Sequence, residues 1–233
     1  MEEVTKPPEM CRDIDSRPAR WHLEDLGYRV REANESDLDT IRWFHEKIWP
    51  FALTTLETPG QLIRLIEHGL VLILEDRGGA LVGVNVNEHW ADGTQYGVRN
   101  TIDPGHSRQR LGALLPLLAA EIGRDRGLRV RRAIVSPLNP AGATNLLNHI
   151  GFVADGFRLT YPGETRPEFL VSLPLDQLYH TQIDPERLKV YCAEHPSRVR
   201  LIPRLDAHLL AAVYRETEWR VVAALPDTFV AVQ

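Results

Sequence analysis

The sequence predicts an α/β (α+β) chain: a mixed, partly antiparallel sheet flanked by helices, followed by a C-terminal extension. Three observations predict it. Gly78-Gly79 and Asp92-Gly93 separate apolar runs in the manner of β-hairpin turns. Helical stretches alternate with later strand-like runs, which is the pattern of crossover connections between strands. After Leu175 the character changes, with two further helical segments and a strand-like end.

Taken in order, residues 1–25 have few apolar positions and no period, and read as a loose arm ahead of a domain at 26–176. Residues 28–31 alternate as a strand. Ser36 reads as the N-cap of a helix whose stripe is Leu38, Ile41, His45 and Ile48, ended by Pro50. Thr58-Pro59-Gly60-Gln61 has capping-box order with proline at the first helical position, ahead of Leu62, Leu65 and Ile66. Strands follow at 70–75, 80–90 and 94–103, closed by Pro104. A long apolar helix opens at His106 and runs to Arg126, with Gly127 placed for a left-handed cap. Pro116 inside it removes one backbone hydrogen bond and predicts a kink. A strand at 128–136, a short helix at 139–149 stopped by Gly151, and a hairpin at 153–161 and 168–175 complete the domain. Residues 177–233 form the extension, with helices from Asp184 and at 206–216 and strand-like residues at 219–232.

Composition excludes several classes. A chain of 233 residues, 43% hydrophobic and 25% charged, buries a core without staples. Two cysteines, Cys11 and Cys192, suit neither a disulfide framework nor a metal motif, which fits a reducing compartment. No His/Cys/Asp cluster has ligand spacing, so no metal is expected. The opening MEEVTKPPEMCRDID is acidic and unlike a secretory signal. The longest aliphatic run, 70–74, falls far short of the ~20 residues that span a bilayer. A net charge of −5 argues against nucleic acid as the main partner. The expectation is a soluble cytoplasmic protein without membrane or nucleic-acid partners.

The chemistry concentrates in 102–115, read as Ile102-Asp103-Pro104-Gly105-His106-Ser107-Arg108-Gln109-Arg110-Leu111-Gly112-Ala113-Leu114-Leu115. A strand ends at proline, a polar turn follows, and an apolar helix begins. The start of a helix offers unpaired N–H groups and the positive end of its dipole. Gly112 and Ala113 are small enough to admit a ligand to the backbone, and Arg108 and Arg110 add positive charge. This suits a pyrophosphate.

The segment resembles the acyl-CoA pyrophosphate loop of the GCN5-related N-acetyltransferases, with Ile102, Pro104, His106, Gly112 and Leu115 in step. Ser107 stands where that family usually has Arg or Gln, and Arg110 where the first glycine of its Gly-x-Gly pair is usual. A second stretch, Asn139-Pro140-Ala141-Gly142-Ala143 with Leu146-Leu147 and Ile150-Gly151-Phe152, is similar to the family's later Asn-x-x-Ala and Gly-Phe motif, with one extra residue before Gly-Phe. The resemblance covers roughly 28–175. It implies acetyl-CoA or another acyl-CoA as co-substrate, bound by Ile102, Ser107, Arg108, Gln109, Arg110, Leu111, Gly112, Ala113 and Asn139, the last on the pantetheine arm.

The resemblance also frames what is missing. The tyrosine that often protonates the leaving thiolate is replaced by Leu147. Ser136, Thr144 or Asn145 would have to substitute, or water protonates a thiolate whose thiol has a pKa near ~8.5. An ammonium acceptor must lose its proton to a base. Glu88 is the first choice, with Asp103 and His106 as further catalytic candidates and His89 as a neighbour. Backbone N–H groups at 100–102 would polarise the thioester carbonyl. Trp43, Phe44, Trp49, Phe51, Phe157 and Tyr161 offer an aromatic wall for the acceptor, if they are not simply core. The leading function is N-acyl transfer, acetyl above all, to the amine of a small metabolite. The alternatives are other chemistry on this fold, either carrier-protein-dependent acyl transfer or decarboxylation, and a non-catalytic acyl-CoA-binding module. Residues 177–233 would cover the acceptor, pair two chains as a homodimer, recognise a carrier protein, or simply stabilise the core.

Overall fold

The computed structural model describes residues 6–12, 18–48, 58–160, 166–215 and 218–233. Trp49, Pro50, Phe51 and Tyr161, three of them in the expected aromatic wall, lie outside the described residues. The fold is α/β, with an open, partly antiparallel sheet flanked by helices. Its contacts divide the chain into two units, residues 17–131 and residues 1–16 with 132–233. This division does not follow the boundaries at 25/26 and 176/177 drawn from composition.

In the 17–131 unit, strands β1 (Arg29–Glu32), β2 (Leu70–Glu75), β3 (Leu81–His89) and β4 (Thr94–Ile102) pair in that order, each antiparallel to the next. Helices α2 (Leu38–Ile48) and α3 (Pro59–His68) cover one face. Ile41, Phe44, Leu62 and Leu65 pack there against Val71, Ile73, Val84 and Val86, so Phe44 is core and not an acceptor wall. Helix α4 (Leu111–Asp125) contacts β2, β3 and β4, and α1 (Ala19–Asp25) packs on α4 and β1.

The start of α2 differs from expectation. Asn34, not Ser36, is the N-cap: its side chain accepts from Ser36 N–H at 2.9 Å. Asp37 reaches back to Asn34 N–H at 2.9 Å and takes a bidentate pair from Arg31 at 2.7 Å. Local sequence favours serine as a cap, but the Arg31 guanidinium on β1 decides which carboxylate closes the box. The box expected at Thr58 does not form either. The Thr58 hydroxyl donates to the Gln61 side chain, and no backbone N–H is capped.

The described parts of the supposed loose arm are packed. Ala19 and Leu23 are buried on α1, a helix with no local side-chain cap; its Ala19 N–H donates to the buried Glu121 carboxylate of α4 at 2.8 Å. Met10 is fully buried, Cys11 bridges to Ile183, and Lys6 is buried with its ammonium on the Leu147 carbonyl. Burial pushes the Lys6 pKa down to about 7.

The division falls within β5 (Val130–Val135), and in the other unit β7 (Arg166–Pro174), β6 (Val153–Thr160), β9 (Arg220–Ala224), β10 (Thr228–Val232) and β8 (Val199–Pro203) lie in that spatial order. The extension therefore continues a sheet, with Val221 of β9 paired to Ala154 of β6. β8 had no sequence signal. Met10, Val153, Ile183, Leu188, Val222 and Val230 share one core, joining the chain start, the β6–β7 hairpin and helix α6 (Pro185–Glu194). Tyr214 of α7 (Ala207–Arg215) stacks on Phe157, which places Phe157 in an aromatic cluster with Phe169.

Helix α5 (Pro140–Thr144) passes straight into a π-helical turn, Asn145–Ile150, ended by Gly151 at φ +106°. A π-turn is an α-helix carrying one inserted residue. The extra residue counted between Asn139 and Gly151-Phe152 is thus absorbed by the helix itself.

His45 on α2 generates a prediction. It is buried, its Nε2 has no hydrogen-bond partner among the described residues, and burial, with the charge of Arg99 second, pushes its pKa down to about 4. Between pH 6.5 and 4 the unfolded chain binds a proton that the folded chain refuses, so stability falls as pH drops through that window. His45→Gln removes this contribution. Urea unfolding should show a shallower loss of stability from pH 6.5 to 4 in the variant, and an identical slope would refute the assignment.

Candidate active site

The turn between β4 and α4 is built by three local devices. The Asp103 carboxylate accepts Gly105 N–H at 2.9 Å and the Lys47 ammonium at 3.3 Å, and these hold its pKa below the usual carboxylate range, Gly105 contributing most. A 3-10 turn, Pro104–Gln109, follows, and then Arg110 adopts the left-handed conformation at φ +59°. The long helix therefore begins at Leu111 and not at His106. A right-handed turn followed by a left-handed residue points successive N–H groups into one concavity, the backbone shape that cradles anions. Here that concavity opens on a fresh helix start. The left-handed geometry explains why glycine is usual at this position in the resembled family, and Arg110 bears about 1–2 kcal/mol of local strain for it.

His106 and Gln109 are spoken for. Tyr28 is buried, and its hydroxyl donates to the Gln109 carboxamide oxygen at 2.8 Å and contacts His106 Nδ1 at 2.8 Å. The one hydroxyl proton being used on Gln109, the hydroxyl accepts from His106 Nδ1–H. Tyr28 thus braces the turn against the start of β1, a role no local sequence signal announces. Ser107 is exposed, and Ile102 packs over Gly83 of β3, where a Cβ would meet its Cδ1 at 2.8 Å.

The first turn of α4 is also pinned from the sheet. Pro116 has no N–H, so the Gly112 carbonyl loses its helical partner. Asn100 of β4 takes its place, donating Nδ2–H to Gly112 O at 3.0 Å. Asn100 is the outer member of a chain of carboxamides. Asn85 donates to Asn100 Oδ1 at 3.2 Å, Asn87 to Asn85 Oδ1 at 2.8 Å, and Arg131 to Asn87 Oδ1 at 2.8 Å. Arg131 also donates to Gln95 at 2.8 Å, and Gln95 donates to the Ala119 carbonyl of α4 at 2.9 Å. Gly123 lets Gln95 approach the helix this closely, since a Cβ there would sit 2.8 Å from its nitrogen. Arg131 is 2% exposed, no carboxylate among the described residues pairs with it, and burial lowers its pKa to about 9. Each carboxamide turns its oxygen toward this cation and its NH₂ toward α4.

Glu88 lies elsewhere. It pairs with Tyr96 while Ile102 pairs with Gly83, so Glu88 is ~17 Å along β3 from the turn, at about 3.4 Å per residue. Its carboxylate accepts Arg64 at 2.9 Å and the Trp90 indole N–H at 3.0 Å. Four lone-pair sites minus two leaves room for an incoming proton donor. Asp103 and His106 do not join Glu88; they are parts of the turn. His89 points to the opposite face from Glu88, and burial lowers its pKa. Trp43 is exposed beside Lys47, whose ammonium lies 5.4 Å from its ring centre.

In the other unit Asn139 caps α5 through its carboxamide oxygen, accepting Gly142 N–H at 2.9 Å. Leu147 is fully buried. Ser136 accepts Leu138 N–H at 3.2 Å in a local turn. No group of three or more His, Cys, Asp or Glu side chains suited to a metal ion occurs among the described residues, and no described helix is long and apolar enough to cross a membrane.

No family model and no curated protein matches the chain in sequence. Solved structures do match its fold. A ribosomal-protein-S5-alanine acetyltransferase from Vibrio fischeri superposes with a TM-score of 0.54 at 18% identity, covering 65% of this chain and 95% of that one. This is the fold of the GCN5-related N-acetyltransferases. A spermidine N-acetyltransferase SpeG chimera from Vibrio cholerae and hSSAT matches at TM-score 0.54 and 16% identity, covering 66% of this chain and 98% of that one. The yncA protein from Salmonella typhimurium, solved with its cofactor acetyl-CoA, matches at TM-score 0.52 and 20% identity, covering 64% and 94%. The GCN5-related fold expected from the two motifs is thereby found.

A double-mutant cycle tests the pinning of α4. Asn100→Ala should destabilise the 17–131 unit by about 1 kcal/mol, the net worth of a typical hydrogen bond. In a Pro116→Ala background the helix N–H returns to Gly112 O, and the same change should cost less than about half as much. Equal costs in both backgrounds, measured by urea unfolding, would show that the two residues do not share the Gly112 carbonyl.

Proposed function

We propose that the chain is an acyl-CoA-dependent N-acyltransferase, moving an acyl group, acetyl first among them, from the CoA thioester to the amine of a small metabolite. The observation that carries this reading is the left-handed Arg110 followed by a free helix start at Leu111, in a chain with the acetyltransferase fold. The backbone N–H groups of Leu111 and Gly112 would hold the pyrophosphate, the Ala113 N–H being used on the Arg110 carbonyl at 2.9 Å, with the charge of Arg110 beside it. Acetyl-CoA in the yncA structure supports the same donor here, and the spermidine enzyme supports an amine acceptor. Ile102 and Ser107 would flank the phosphates.

The base is assigned to Glu88. The phosphate and acyl ends of a CoA ester are separated by the extended pantetheine arm, so a base for the acyl end does not belong beside Asp103 and His106. Glu88 would take the ammonium proton, directly or through water, the free amine would attack the thioester carbonyl carbon, and backbone N–H groups of β4 would receive the developing oxyanion. The C–S bond then breaks. With Leu147 in the core, water protonates the thiolate, a tolerable leaving group at a thiol pKa near ~8.5.

Two variants test this. Gly112→Asp brings a negative charge to the phosphate cradle, while aspartate in a first turn suits the helix itself. CoA affinity by calorimetry should fall at least tenfold, about 1.4 kcal/mol; undiminished affinity in a folded variant would remove the cradle. Glu88→Gln should lower turnover at neutral pH by at least ~10²-fold, the worth of a positioned base, with the gap closing as pH rises and free amine becomes abundant. Turnover within threefold of wild type would move the role to His89 or solvent. Running acetyl-CoA beside acyl-carrier-protein donors separates this reading from carrier-dependent transfer.

A further inference from the structure

The 1–16/132–233 unit contains a cavity of about 500 Å³, within the size range of small-molecule sites, and the proposed acyl transfer makes no use of it. Its wall is mainly carbon: Ala141 of α5, Ile183, Leu188 of α6 and Leu225 after β9. One cation, Arg204, interrupts that wall.

Arg204 is 7% exposed, and its guanidinium is only partly satisfied. Nε donates to the Leu225 carbonyl at 2.7 Å. Nη2 reaches Thr144 Oγ1 at 3.5 Å, the far limit of a hydrogen bond, and Nη1 is buried with no partner among the described residues. The ring of Phe229 lies 4.9 Å from the guanidinium carbon. Asp227 is close enough to favour the charge, yet no ion pair forms between them. Burial works the other way and makes the Arg204 charge harder to hold. A buried donor without a partner costs about 1–3 kcal/mol and calls for an explanation in a native structure. Asn145 also lines the cavity. Asn148 lines it too, and its carboxamide is held on Ala224, accepting the backbone N–H at 2.9 Å and donating to the carbonyl at 2.6 Å.

We propose that this cavity binds a small monocarboxylate with an apolar body, its carboxylate on Arg204 and its hydrocarbon against Ala141, Ile183, Leu188 and Leu225. The single guanidinium matches a single negative charge. A phosphate group would bring a second charge that no other lining cation meets, and an amine would meet a cation. The apolar wall rewards a hydrocarbon body by about 25 cal/mol per Å² removed from water. No lining residue comes from the 104–113 turn, so the site does not draw on the phosphate cradle.

The test is calorimetric titration of the full chain with octanoate, octanamide and acetate. Octanoate should bind at one site, and octanamide, which lacks the charge, and acetate, which lacks the chain, should each bind at least tenfold more weakly. Arg204→Met should abolish the preference for octanoate over octanamide. Ala141→Trp, at an exposed position on the cavity mouth, should weaken octanoate at least tenfold with the fold intact. Arg204→Met also deletes the bond to Leu225, so if that variant fails to fold, Ala141→Trp decides alone. Octanoate binding no better than octanamide, or binding that Ala141→Trp leaves unchanged, would overturn the proposal. Octanoate displaced by CoA but insensitive to Ala141→Trp would overturn it too, by assigning the binding to the CoA cradle.

Discussion

A guanidinium buried with no carboxylate partner among the described residues, that of Arg131, organises the 17–131 unit. Burial lowers the Arg131 pKa to about 9, still above neutral pH, so its charge must be solvated by whatever dipoles the fold supplies. Asn87 and Gln95 supply them directly, and Asn85 and Asn100 continue one branch. A carboxamide that turns its oxygen to a cation must turn its NH₂ away, so orientation passes from one side chain to the next. Both branches end on carbonyls of α4: Gly112 in its first turn and Ala119 farther along. A buried charge that is costly in isolation thus becomes a device that sets where α4 lies on β3 and β4.

That placement matters because of what α4 begins with. Pro116 is expensive inside a helix, yet the carbonyl it orphans is the one Asn100 engages. Arg110 is strained in a left-handed conformation, yet that conformation separates the 3-10 turn from the helix and leaves fresh N–H groups facing outward. Tyr28 holds the turn from the other side through His106 and Gln109. Local costs of this kind are tolerated where the surrounding contacts over-determine the backbone, and they gather where a ligand is to be held. In the proposed transfer these residues position the donor, while Glu88 acts at the far end of the β3–β4 hairpin.

The second unit solves a different problem. The π-turn at 145–150 keeps Leu147 and Ile150 buried despite an inserted residue, and Gly151 ends it at a φ that disfavours side chains. The Leu147 carbonyl is held by Lys6, and Asn148 clamps Ala224 of β9. The chain start and the extension therefore share one core with the β6–β7 hairpin. The cavity beside Arg204 lies where α5, α6 and the residues after β9 meet.

What the sequence determined by itself was everything encoded within a few residues. Apolar periodicity marked β2 and the stripes of α2 and α3, glycines at 79, 93 and 127 marked left-handed turns that the backbone adopts at φ near +80°, and Asp184 marked the cap of α6. The two motifs at 102–115 and 139–152 indicated the fold. What only the tertiary structure decided were the partnerships between distant residues. The cap of α1 comes from Glu121, the cap of α2 is chosen by Arg31, β8 exists because β10 pairs with it, and Asp103 and His106 proved to be braces of the turn. The Arg131 chain joins residues that read separately as ordinary polar positions on three strands. Hydrogen bonds and buried charges answer to distance in space, and one sequence displays only distance along the chain.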